Sequence, residues 1–218
     1  MSNGFFITLE GIEGCGKTTQ ARLMSEYIQS KGRRVVLTRE PGGTVIGKRI
    51  REILLDPESK GIDSRAELLL YFADRAQHVA EVIEPALADG AVVICDRFTD
   101  ATLAYQGFGR GVGLELIADL NEAATQGLAP DLTLLLDIPV AEGLRRARKR
   151  NGDNNQASEG RFEEEPDEFH KKVRQGYLTL ASRETDRFKI IDASGTAEEV
   201  QALIQKSLGS RFRGNDNF

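Results

Sequence analysis

The string GIEGCGKT, running from Gly11 to Thr18 directly after the branched apolar run FFITLE, constrains this chain more than any other feature. Two glycines separated by four residues, then Lys and Thr, make the pattern of a phosphate-binding loop joining a buried strand to a helix. Small residues let successive backbone N–H groups curl around phosphate oxygens, and the helix beginning near Gly16 adds the positive end of its dipole. Lys17 then reaches the β and γ phosphates, and the Thr18 hydroxyl is placed to ligate Mg²⁺. Gly11, Ile12, Glu13, Gly14, Cys15, Gly16, Lys17, Thr18 and Thr19 therefore form the expected nucleoside triphosphate site.

The surroundings agree with that loop. Short apolar runs at residues 5–10, 35–40, 91–96 and 131–137, with a weaker one at 188–192, read as buried strands. Between them lie stretches of helical spacing, such as 17–31, 64–89 and 196–208. Strand and helix alternate, which predicts an α/β fold with a mainly parallel sheet covered on both faces and right-handed crossovers. Ligands should collect at the C-terminal ends of the strands. Glu10, Glu40, Asp96, Asp137 and Asp192 all end such runs, although any one of them alone also reads as a helix cap. Residues 151–160, rich in Gly, Asn, Asp and Ser, read as a mobile loop, and 210–218 as a disordered tail beyond one domain of residues 1–209.

Composition closes off several functions. A chain of 218 residues suits one domain with its own core. Lys and Arg number 29 against 34 Asp and Glu, and the net charge of -5 argues against a protein that coats nucleic acid or an anionic membrane. Two cysteines, Cys15 and Cys95, are too few for a disulfide framework, so a reducing cytoplasm is the expected home. No apolar run approaches the roughly 20 residues of a membrane span, and the start, MSNGFF, does not read as a signal peptide.

A phosphate loop alone leaves a switch GTPase, a motor-type ATPase and a small kinase open. No N-K-x-D string for reading guanine occurs. A kinase needs a second site, and three places offer one. VVIC delivers Asp96 and Arg97 to a strand end, where a carboxylate can hold Mg²⁺ and an arginine can grip a phosphate through two nitrogens. LLLYFADRAQH sets Tyr71 and Arg75 at i and i+4, an aromatic ring and a guanidinium on one helical face beside a core position at Phe72. TREPGGT adds Arg39 at another strand end.

Taken in order, FITLEGIEGCGKTTQ, TREPGGT, LLLYFADRAQH, DRFTDATLAYQGFGRG and PDLTLLLDIPVAEGLRRARKR resemble the thymidylate kinase (dTMP kinase) family from about residue 5 to about residue 205. The resemblance implies a P-loop kinase three-layer sandwich with a five-stranded parallel sheet and a helical lid at about 145–165, forming a homodimer. It implies transfer of a phosphoryl group from ATP·Mg²⁺ to dTMP, with no nucleic acid polymer or membrane as partner. Position by position, it implies that Glu13 reaches the sugar 3′-hydroxyl or a metal-bound water. Arg39 and Arg97 would grip the dTMP phosphate, with Asp96 near the metal. Tyr71 would stack on thymine and Arg75 donate to its O4; Tyr105 would crowd the sugar 2′ position, with Gln106 its neighbour. Ala101 stands where many members carry Ser, with Thr102 as the polar residue after it. Another pyrimidine monophosphate kinase, and a P-loop switch, are the alternatives.

The variable loop positions, Ile12, Glu13, Gly14 and Cys15, contain no arginine, so the arginine that neutralises the transferring phosphate must come from elsewhere. In the resembled family it lies in the lid. Arg161 matches that position, with Arg145, Arg148 and Arg150 as further candidates; the segment also reads as a solvated basic helix face.

Overall fold

A computed structural model of the chain describes residues 4–154 and 161–212. Five strands, β1 (Phe5–Glu10), β2 (Val35–Arg39), β3 (Val92–Asp96), β4 (Leu132–Asp137) and β5 (Phe188–Asp192), form one parallel sheet in the order β2-β3-β1-β4-β5. The sequence expectation of five strands at these runs holds. Each of β1, β3 and β4 lies between two neighbours, and β3 is buried at every position, as its unbroken apolar run demands. The edge strands β2 and β5 carry exposed positions instead.

The connecting helices are α1 (Lys17–Ser30), α2 (Val45–Leu55), α3 (Ser64–His78), α4 (Glu84–Ala88), α5 (Thr99–Thr102), α6 (Leu114–Thr125), α7 (Val140–Asn154), α8 (Asp167–Arg183) and α9 (Ala197–Phe212). Wider helical turns extend α3 through Val79–Ile83 and α5 through Leu103–Gly109. Two boundaries differ from the sequence reading. Helix α7 runs on through Asn154, into the first residues of the segment read as a loop, and α9 runs through Phe212, into the stretch read as tail. Leu144 and Ala147, then Val200, Ile204 and Leu208, give each helix a buried stripe that carries it past the polar residues. The rest of both expectations lies outside the described residues. Among the described residues, no helix is long and apolar enough to cross a membrane.

The main core packs Leu9, Met24, Ile94, Leu134 and Tyr177 around the centre of the sheet. Two polar clusters inside it are paired. Thr8 Oγ1 meets Thr133 Oγ1 at 2.8 Å, and Arg187 donates to both oxygens of Asp100 at 2.7 and 3.0 Å, tying α5 to the start of β5. Asp100 is 1% exposed, so Asp100→Ala leaves a largely covered guanidinium with only the more exposed Glu184 carboxylate. A loss of about 2 kcal/mol is expected, read by urea unfolding.

Glu10, fully buried at the end of β1, accepts from Phe98 N at 2.8 Å and from the Tyr177 hydroxyl at 2.7 Å. Burial, reinforced by the nearby Asp100 charge, pushes its carboxyl up to about 8 against the opposing pull of Arg97 and these bonds. Asp74 is raised in the same way, to about 6. Between the ordinary carboxylate range and these values the folded state binds more protons than the unfolded state, so their contribution is full at low pH and fades as pH rises. Above pH 6 the remaining slope from this pair belongs to Glu10. Glu10→Gln should flatten the fall in stability from pH 6 to pH 8, measured by denaturant midpoints.

Candidate active site

The parallel register brings the site together. Arg39 aligns with Asp96, and Asp96 with Leu9, so the ends of β2, β3 and β1 lie side by side. A cavity of about 480 Å³ opens there, a size suited to a small ligand. It is bounded on one side by Glu13, Gly16, Lys17 and Thr18, and on the other by Tyr71, Arg75, Thr102, Tyr105 and Gln106.

The loop after β1 needs its glycines. Gly11, Gly14 and Gly16 take φ of 136°, 70° and 94°, and a Cβ on Gly14 would stand 2.0 Å from the Gly143 carbonyl oxygen. Gly14, Gly16, Lys17, Thr18 and Thr19 face the cavity, while Gly11, Ile12 and Cys15 are buried beneath it and shape the loop. Helix α1 starts without a side-chain cap or an acidic first turn, leaving its N-terminal N–H groups and positive pole directed at the loop. Lys17 Nζ donates to the carbonyls of Gly11 and Ile12 at 2.9 and 2.8 Å, with the Cys15 sulfur at 3.4 Å. Its ammonium is thus held at the loop by weak neutral acceptors that an anion outcompetes.

Thr18 Oγ1 donates to Asp96 Oδ2 at 2.7 Å. A hydroxyl and a carboxylate in contact are hard oxygen donors of the kind Mg²⁺ prefers, and Mg²⁺ in phosphate sites takes most of its remaining ligands from phosphates and water. No cluster of three or more His, Cys, Asp or Glu that could hold a metal exists among the described residues, so a fully protein-ligated cage is absent from them. The pair fits the accompanying metal of a nucleotide.

Arg97 is the hub of the hydrogen-bond network at the strand ends. Its residue sits at φ 74°, in the left-handed region, just after β3. Nη1 donates to Gly11 O and to the Tyr177 hydroxyl, both at 3.1 Å; Nη2 donates to Glu13 Oε1 at 3.2 Å and the Tyr105 hydroxyl at 3.0 Å. The guanidinium also lies 4.8 Å from the Tyr105 ring centre. Glu13 accepts from Tyr105 and has His170 Nδ1 3.3 Å from its other oxygen. Burial opposes its charge, but the His170 contact and the Arg97 and Lys17 cations outweigh that, holding the carboxyl well below the usual range.

On the far wall, Arg75 is 1% exposed. Nε donates to Glu40 Oε2 at 2.8 Å, and Nη2 donates to Phe98 O and Thr102 Oγ1, each at 3.0 Å. Nη1 has no partner. Tyr71 is half-buried beside it, and Phe72 is core, as expected. Gln106 Nε2 donates to Glu67 at 2.9 Å. Arg39 is exposed at the rim.

Arg161 lies apart from the other expected site residues. Its guanidinium is buried, donating to Leu54 O at 2.8 Å and pairing with the Glu67 carboxylate, and it does not line the cavity. A buried guanidinium is retained where a fixed carboxylate faces it, and Glu67, 1% exposed, is that partner. Arg150 lines the cavity, paired with Glu163 at 3.0 Å, while Arg145 pairs with Glu142 on the helix surface. Sequence reasoning also missed Tyr177, His170 and Arg51. Tyr177 and His170 fall on the apolar stripe of α8 and carry no motif; Arg51, donating to Pro41 O at 3.0 Å, belongs to an ordinary basic helix pattern. Glu40 was visible as a strand-end acid only.

The family model described as thymidylate kinase matches residues 9–204. A thymidylate kinase from Desulfovibrio desulfuricans is 55% identical over 216 residues, 97% of this chain and 100% of that protein. One from Syntrophotalea carbinolica is 57% identical over 196 residues, 90% of this chain and 91% of its own. The crystal structure of thymidylate kinase from Ehrlichia chaffeensis superposes with a TM-score of 0.75 at 35% identity, covering 94% of this chain and 99% of that one. With a phosphate loop, an adjoining cavity and near-complete coverage all in agreement, this chain belongs to the thymidylate kinase family.

Proposed function

We infer that the protein transfers the γ-phosphoryl group of ATP to dTMP, giving dTDP and ADP. The observation that carries this reading is one cavity with a phosphate loop on one side and, on the other, Tyr71 beside a guanidinium nitrogen of Arg75 that has no partner. A monophosphate acceptor is already an ionised nucleophile, so no general base is required and catalysis reduces to alignment and charge neutralisation. Lys17 and the α1 terminus hold the ATP phosphates. Thr18 and Asp96 would hold Mg²⁺, which when bound supplies neutralisation of phosphate charge. Arg39 and Arg97 take the acceptor phosphate, and Arg150 is the lid-side arginine that faces the transfer point in place of Arg161. Such an arginine is worth on the order of 10³ to 10⁵ in rate. Glu13, an ionised acceptor braced by Arg97 and Tyr105, suits the sugar 3′-hydroxyl, while the Tyr105 ring crowds the 2′ side. Residues 1–209 act as one kinase domain of the cytoplasm, with the lid at about 145–165.

Specificity follows from Arg75. Thymine presents an acceptor, O4, to Nη1; cytosine presents an amino donor, and a donor facing a buried donor costs about 10⁴-fold or more. Uracil lacks only a methyl, worth roughly 1 to 3 kcal/mol. In a coupled ADP-release assay with a panel of monophosphates, dTMP should be strongly preferred, dUMP accepted weakly and dCMP rejected. Equal turnover of dCMP and dTMP rules out this base reading. Lys17→Ala should abolish turnover, and activity that survives it refutes the phosphate-loop mechanism.

A homodimer is the assembly this reading carries. Ile46 and Ile53 of α2, Leu69 of α3 and Leu114 and Leu116 of α6 are exposed on three helices that pack in sequence against one another. Sedimentation velocity should give twice the chain mass, and Leu69→Glu combined with Ile53→Glu should return it to the monomer.

A further inference from the structure

His78 belongs to the LLLYFADRAQH segment but has no part in the chemistry so far. It is fully buried on α3, one turn beyond Arg75. Its Nδ1 lies 2.8 Å from Glu40 Oε1, and its Nε2 lies 2.6 Å from Thr38 Oγ1. The network assigns the ring: Nδ1–H donates to the carboxylate and Nε2 accepts from the threonine hydroxyl. Gly43 seals the ring in place, since a Cβ there would stand 2.4 Å from both Cδ2 and Nε2 of His78. Glu40 then has one oxygen fixed by His78 and the other bound to Arg75 Nε at 2.8 Å. A guanidinium is planar, so fixing Nε against Glu40 and Nη2 against Phe98 O and Thr102 fixes the direction of Nη1, the one nitrogen without a partner.

We propose that His78 is a positioning residue that acts through Glu40 to aim Arg75 Nη1 at the base, and so sets which pyrimidine the pocket accepts. Thr38, His78, Glu40 and Arg75 form a single line from the C-terminal end of β2 to the cavity wall. Without the imidazole, the carboxylate rotates about its own axis and the guanidinium loses its fixed plane. The loss falls on acceptor recognition, because neither Glu40 nor His78 touches the phosphate loop. The inference rests on the reading of the cavity as a dTMP site.

Initial rates with dTMP and dCMP, at varied ATP, test it on the wild type, His78→Leu, His78→Asn and Thr38→Val. His78→Leu should raise KM for dTMP about tenfold, the scale of one lost hydrogen bond, and lower the preference for dTMP over dCMP by a similar factor, with KM for ATP within about twofold. His78→Asn, whose amide nitrogen replaces the Nδ1 donor, should recover most of the loss, and Thr38→Val should fall between. A folded His78→Leu with unchanged selectivity, or equal shifts in both KM values, overturns the proposal, as does a His78→Asn no better than His78→Leu. Should His78→Leu fail to fold, Thr38→Val decides: wild-type selectivity there overturns the proposal. A wild type that turns over no pyrimidine monophosphate refutes the dTMP reading itself, which is a separate result from selectivity that survives loss of His78.

Discussion

The guanidinium of Arg97 joins the parts of the chain that must meet for a phosphoryl group to pass between two nucleotides. It binds the phosphate loop through Gly11 O and Glu13, the extension of α5 through Tyr105, and α8 through Tyr177. Its backbone is strained: a left-handed φ of 74° at a non-glycine residue costs of order 1 to 3 kcal/mol. The surroundings over-determine that turn. Arg97 N donates to Leu9 O at 3.0 Å, Phe98 N donates to Glu10 at 2.8 Å, and Phe98 packs edge-on against Phe6 with ring centres 5.0 Å apart. A turn held at its amide, its following amide and its following ring delivers the guanidinium in one direction, which a relaxed turn would not do.

Two carboxyls three residues apart show how this environment divides labour. Glu10 and Glu13 both contact the same polar cluster, yet Glu10 is pushed up to about 8 while Glu13 is held well below the ordinary range. Burial dominates at Glu10, where its hydrogen bonds offer too little compensation and Asp100 adds repulsion. At Glu13, the His170 contact and two cations reverse the balance. Opposite shifts of neighbouring acids let one serve as a protonated structural post and the other as an ionised acceptor at the cavity. The net charge of -5 is therefore no guide to the site, because the cations that matter are placed at one end of the sheet while Arg145 and Arg161 are neutralised by Glu142 and Glu67.

Much of this was legible in the sequence, and the reasons for the rest are specific. The strands were visible because buried parallel strands need unbroken apolar runs, and the phosphate loop because its glycines are forced by positive φ and close approach. Tyr71, Arg75 and Arg97, which line one cavity, could be singled out because strand ends and i, i+4 spacing are local signals. The pairing of Arg161 could not be read, because whether an arginine faces the cavity or a buried carboxylate depends on Glu67, 94 residues away in the chain. Tyr177 and His170 were invisible for the complementary reason: an aromatic or a histidine on an apolar helical stripe looks like core until the element it faces is known.

The short loop after β2 carries the consequence furthest. Arg39 ends the strand at the rim, Glu40 follows it inward to Arg75, and the Pro41 carbonyl accepts from Arg51 at 3.0 Å. Glu40 N is bound to Asp96 O at 3.0 Å, and Gly42 N to Asp74 at 3.0 Å, so the loop is fixed to β3 on one side and α3 on the other. In the proposed function, adjacent residues thus address the two ends of one acceptor, Arg39 its phosphate and Glu40, through Arg75, its base. A frame that fixes both ends at once fixes the distance between them, and with it the position of the acceptor oxygen relative to the phosphate loop. Orientation of that kind is worth roughly 7 to 11 kcal/mol of barrier when it brings reacting atoms to about 3 Å. A base that fails to meet Arg75 therefore loses more than a hydrogen bond: its phosphate is left out of line, and selectivity for the base becomes selectivity in the transfer step.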